Sequence, residues 1–129
     1  MLEYVFLIDI QKSFLSIELE LKLDRDMLRF VWGLPRQEIK LYQMKLVTFG
    51  LISSPCQACT CLKDMAKTHV LMYSLAAAII IANSYMDDIT SGAISVAEGC
   101  KLIKQVLTVM DAGGFQGHKV STSNPAMVD

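Results

Sequence analysis

The sequence predicts an α+β domain, and three observations carry that expectation. Short apolar or alternating segments crowd the first fifty residues, helix signals follow from residue 54 onward, and an Asp-Asp pair sits in a strand-like stretch between the two helical regions. The 129 residues allow one compact core and not two, so residues 1–129 form a single domain. Hydrophobic residues make up 53% of the chain and charged residues 19%, which excludes a disordered segment.

Tyr4 to Ile10 is a nearly continuous apolar run, the pattern of a strand buried on both faces, interrupted by Asp9. Ile17 to Asp24 alternates strictly and predicts a half-buried strand. Met27 to Trp32 is the next strand candidate, with Asp24 and Asp26 suiting a turn before it. Gly33 to Lys40 is a loop, and Leu41 to Phe49 is a fourth strand candidate. Ser54-Pro55 starts a helix that runs to about Met72, with Ser as cap and Pro in the first turn. The Ala-Ile run from Ala76 to Ala82 lacks a period; its last residues lead as a strand into Tyr85-Met86-Asp87-Asp88. Ser95 and Glu98 form a capping box for a final helix, which Gly113-Gly114 stops.

Net charge is −1, so the chain lacks the cationic surplus of a free-standing nucleic-acid binder. The apolar stretch Val70–Ala82 is shorter than the ~20 residues that span a bilayer, and Glu3 and Asp9 bracket an N-terminal run too short for a secretory signal. No membrane partner is expected. Cys56, Cys59 and Cys61 are too crowded for a disulfide framework, so with Cys100 they predict a reduced, intracellular protein. Cys56-Gln57-Ala58-Cys59 at a helix start also has redox spacing, and Cys61 with His69 invites a zinc reading. Zinc sites normally combine two such pairs, however, and small cysteines commonly fill cores. His69 and His118 have no partner at ligand spacing, and the eight methionines read as core filler.

Asp87-Asp88 stands out because neighbouring side chains on a strand point to opposite faces. Both converge on one ion only if a tight turn redirects them; a bare Asp-Asp pair is otherwise a solvated turn. The context alters that weighting. Tyr85-Met86-Asp87-Asp88 resembles the catalytic hairpin of reverse transcriptases. Phe6-Leu7-Ile8-Asp9-Ile10-Gln11-Lys12-Ser13-Phe14 resembles the family's first catalytic motif, and Phe49-Gly50-Leu51-Ile52-Ser53-Ser54-Pro55 resembles its second. Gly113-Gly114-Phe115 with Lys119 resembles the fourth, although Val120 stands where the family usually has Trp. Asp24 to Trp32, Met86 to Gly92 and Ser123-Asn124 look like the BEL/Pao class of long-terminal-repeat retrotransposons.

The resemblance implies a palm: an antiparallel sheet with helices packed on one face, incomplete fingers and no thumb. It implies an RNA-directed DNA polymerase that joins a dNTP to a primer 3′-hydroxyl on an RNA or DNA template, by two-metal chemistry with Mg²⁺ or Mn²⁺. Asp9, Asp87 and Asp88 are then catalytic metal ligands, assisted by the Ile10 carbonyl. Phe14 excludes a 2′-hydroxyl, Phe49, Gly50 and Lys119 line the nucleotide site, and Tyr85 and Met86 face the primer. Since the first aspartate is residue 9, most of the fingers would precede Met1, and thumb and ribonuclease H regions would lie elsewhere. Such a piece is expected to expose apolar surface and to be inactive alone, in the cytoplasm or a particle. The alternative is a non-enzymatic or repurposed remnant that keeps the motifs by descent.

Overall fold

A computed structural model gives the fold and describes residues 2–128. Strand β1 (Tyr4–Gln11) leads through a 3-10 turn (Phe14–Ser16) to a short helix α1 (Lys22–Asp26). A hairpin of β2 (Arg29–Trp32) and β3 (Lys40–Gln43) follows. Helices α2 (Ser54–Thr68) and α3 (Ser74–Asn83) precede a second hairpin, β4 (Ser84–Tyr85) and β5 (Asp88–Ala93). Helix α4 (Val96–Ala112), β6 (Gln116–Thr122) and a 3-10 turn (Pro125–Met127) complete the chain. The result is a mixed α+β fold with an antiparallel four-stranded sheet, order β4-β5-β1-β6, and a separate two-stranded sheet.

The central strand explains the core. Phe6, Ile8 and Ile10 are buried, and the intervening Val5, Leu7 and Asp9 turn to the other face. Ile89 on β5 lies opposite Ile8 and is also fully buried. Helices α3 and α4 cover this side with Ala76, Ala77, Ile80, Leu102, Ile103, Val106, Val109 and Met110. The opposite face of the sheet is left open. β1 is therefore two-faced rather than buried on both sides, because among the described residues no helix covers the face of Asp9.

Helix α4 follows its sequence signals closely. The Glu98 N–H donates to Ser95 Oγ (3.2 Å), while Glu98 Oε2 accepts from the Ile94 N–H (2.9 Å) rather than from Ser95. At its end, Gly114 has φ +79°, and the Phe115 and Gly114 N–H groups donate to the Met110 (2.9 Å) and Asp111 (3.0 Å) carbonyls. That closes the helix with a left-handed glycine, where an L side chain would be strained.

Other expectations are corrected. Ile17–Asp24 is not a strand: Glu18 makes one bridge to Leu46, and Lys22–Asp26 is helical. Its alternation meets the core only at its start, through Ile17 and Leu19, while Leu21 and Leu23 are exposed. Asp24 and Asp26 accordingly lie in α1, not in a turn. The strand expected over Leu41–Phe49 ends at Gln43. Helix α2 stops at Thr68 rather than Met72, and its cap is Ser53; the Ser54 hydroxyl instead donates to the Thr48 carbonyl (2.5 Å). Ala76–Ala82 is helix to its end, so only Ser84 and Tyr85 precede the hairpin loop as strand. β6 had no apolar alternation to announce it; it forms because its backbone pairs with β1. Among the described residues no helix is long and apolar enough to cross a membrane.

Candidate active site

The sheet register gathers the sequence-distant carboxylates. Asp9 is the direct cross-strand partner of Asp88, and Tyr85 is the partner of Asp88 on its other side. Directly opposed residues on antiparallel strands share a face, so all three project from the open side of the sheet. Asp87 occupies the two-residue loop between β4 and β5, and its carbonyl accepts from the Ile10 N–H (2.7 Å). That bond pins the loop to the end of β1, one residue from Asp9.

Loop residue Met86 has φ +53°. A positive φ in a two-residue hairpin loop matches the right-handed twist of the strands, and Gly or Asn usually supplies it. A methionine there stores strain, which concentrates at functional sites. Met86 and Tyr85 are exposed beside the carboxylates.

The electrostatics agree with the register. Partial burial pushes the Asp88 carboxyl up from its ordinary range, and the nearby negative charges of Asp87 and Asp9 push it further. Asp88 is half-buried, Asp9 likewise, and Asp87 is exposed. Among the described residues no three His, Cys, Asp or Glu side chains are already drawn together to hold a metal ion. The hard oxygen donors themselves suit Mg²⁺, and the negative charges of Asp87 and Asp9 both reach Asp88.

Lys119 is the partner of Asp9 on the other flank of β1 and so shares the open face. Between Asp9 and Ile10 the pairing shifts, because Ile10 meets Gly117; His118 is the extra residue of a bulge. Phe14 and Phe49 meet although 35 positions separate them: their rings contact edge to face, with centroids 5.0 Å apart. Two backbone devices bring them together. Lys12 has φ +50°, turning the chain off β1 into the 3-10 turn that carries Phe14. On the other side, Gly50 has φ +85° immediately after Phe49, and the Ser54–Thr48 bond anchors that loop to the start of α2.

The cysteines form no comparable site. All four are free, and burial together with Asp64 pushes the Cys61 thiol up, away from a reactive thiolate. His69 bonds locally, its Nδ1 lying 2.9 Å from Thr68 Oγ1 and 3.1 Å from the Met65 carbonyl. The sequence had no signal for the Phe14–Phe49 contact or for the Tyr85–Asp88 pairing, because both depend on register. No protein-family model matches the chain, and no curated protein is significantly similar to it.

Proposed function

We propose that this chain is the palm of an RNA-directed DNA polymerase, a reverse transcriptase of a BEL/Pao-like retrotransposon, working as part of a larger polymerase. The observation that carries the reading is the direct facing of Asp9 and Asp88 beside the Asp87 loop. Like charges directly opposite each other destabilise a sheet. A fold that nevertheless sets two carboxylates in register, with a third next to them, has a use for a bound cation. Asp9, Asp87 and Asp88 would hold Mg²⁺ or Mn²⁺, which when bound activates the primer hydroxyl and stabilises leaving pyrophosphate.

The other residues take roles around that centre. The Phe14 ring, braced by Phe49, would exclude a ribose 2′-hydroxyl by its bulk. Tyr85 and Met86 offer an exposed surface to the primer terminus, and Gly50 leaves its loop open, with no atom within 4 Å of where a Cβ would stand. Lys119, beside Asp9 on the open face, supplies a cation for the triphosphate. Exposed apolar side chains such as Ile52 and Leu71 support cooperation with fingers and thumb elements.

The test is primer extension on an RNA template with Mg²⁺ and dNTPs, with the chain joined to fingers and thumb segments of a related polymerase. Extension is expected, and Asp87→Asn/Asp88→Asn abolishes it. Calorimetry on the chain alone comes first. A chain that takes up no divalent ion at millimolar concentration is a non-enzymatic remnant, and the polymerase reading falls.

A further inference from the structure

The β2–β3 hairpin carries a surface that the carboxylate site does not use. Phe30 pairs with Tyr42 and Trp32 pairs with Lys40, so these four side chains share one face of a two-stranded sheet. The Phe30 and Tyr42 rings stack with centroids 5.6 Å apart and planes 19° apart, and Trp32 meets Tyr42 edge to face at 6.5 Å. Together the three rings line an open cavity of about 380 Å³, large enough for a planar heterocycle. All three remain substantially exposed. An exposed aromatic cluster on a soluble fold marks an interaction site.

Charge decides what kind of partner fits. Within residues 29–43, Arg29, Arg36 and Lys40 stand against one acid, Glu38, whereas the whole chain carries a net charge of −1. Arg29 pairs with Gln43 across the strands and so projects from the opposite face, where Lys22 and Asp26 border a second cavity. Asp26 there is already engaged by Arg29 and Gln43, both at 2.6 Å. On the face of the rings stands Lys40, and Arg36 lies in the loop that joins the two strands; among the described residues neither is engaged by a carboxylate. A partner with flat π-faces and regularly spaced negative charge satisfies both features, and a single nucleic-acid strand has both.

We propose that the Phe30–Trp32–Tyr42 face of this hairpin is a stacking platform for single-stranded nucleic acid, with Lys40 and Arg36 holding the backbone. The site is separate from the carboxylates and needs no divalent ion. It also reconciles a chain of near-zero net charge with strand binding, because the positive charge is local.

Trp32 is the single tryptophan, so its fluorescence reports the platform directly. The experiment titrates oligouridylate and oligothymidylate into the full chain without Mg²⁺, with a polyphosphate of equal charge as control. Both strands are expected to quench Trp32, and the polyphosphate is not. Tyr42→Ala should weaken binding roughly tenfold, a typical loss for one base-stacking ring. Lys40→Glu keeps every ring, and so guards against a merely misfolded hairpin; it should weaken binding and flatten the salt dependence. No quenching up to about 1 mM strand, well above the range of ordinary non-specific binding, overturns the proposal. Equal quenching by polyphosphate overturns it in favour of a simple anion site. Protection of Trp32 that grows with protein concentration and ignores the strands overturns it in favour of a second copy of the chain. Because the polymerase reading is tested through Mg²⁺ uptake, the two fail in different measurements.

Discussion

Asp9 and Asp88 stand directly opposite each other on β1 and β5, two like charges on the open face of the sheet. Such a pair costs the fold stability in the absence of a cation. Asp88→Asn should therefore stabilise the metal-free chain by about 0.2–1 kcal/mol at neutral pH, the usual size of a cross-strand charge effect. The same change should abolish any stabilisation by millimolar Mg²⁺. Thermal melts with and without Mg²⁺ check both halves, and a destabilised Asn variant would count against the opposed-charge account.

The pH dependence at this site and at the hairpin should run in opposite directions. The Asp88 carboxyl is raised by burial, Asp87 and Asp9, so its folded form holds a proton more readily than the unfolded chain. Its contribution is then fully present below the ordinary carboxylate value of 3.8 and is lost as pH rises through the raised folded value. Asp26 is lowered, first by its hydrogen bond from Arg29 and further by Gln43 and Lys22. Its contribution is present above 3.8 and is lost as pH falls through the depressed folded value. Acid should therefore loosen the β2–β3 hairpin before the main sheet. Trp32 emission should change at a higher pH than far-ultraviolet circular dichroism, and coincident transitions would refute this.

Phe14 and Phe49 should be energetically coupled. Edge-to-face aromatic pairs are worth about 0.5–1.5 kcal/mol beyond the area they bury. A double-mutant cycle with Phe14→Leu and Phe49→Leu should return an interaction energy in that range. Additive losses would mean that the rings merely touch.

Met86 offers a test of stored strain. A non-glycine residue in the left-handed region costs roughly 1–2 kcal/mol, offset in part by the extra unfolded-state freedom that glycine brings. Met86→Gly should leave the chain equally stable or about 1 kcal/mol more stable, while removing the side chain offered to the primer. Loss of more than about 1 kcal/mol would show that the methionine side chain, not the loop geometry, holds this hairpin.

Local signals decided the elements whose stability is local. The final helix was legible from Ser95, Glu98 and Gly113-Gly114, because capping and left-handed termination depend on a few neighbouring residues. The first strand was legible as a short apolar run, though its open face was not, and the hairpin around Asp87 was expected from the Tyr85–Asp88 motif. Ala76–Ala82 was not legible, since a uniformly apolar run has no period to separate helix from strand, and the alternation of Ile17–Asp24 misled because only Ile17 and Leu19 meet the core while Leu21 and Leu23 stay exposed. β6 was silent because an edge strand is held by backbone pairing and needs little side-chain burial.

The sequence by itself determined the α+β class, the α4 boundaries and which carboxylates and aromatics were candidates. Only the tertiary structure decided that Asp9 faces Asp88, that Lys119 flanks Asp9 past a bulge, and that Phe14 meets Phe49. Each of these is a matter of strand register or loop path. A one-residue slip would send every side chain of a strand to the opposite face, and the burial of Phe6, Ile8, Ile10 and Ile89 under the helices is what holds the register that leaves the aspartates on the open side.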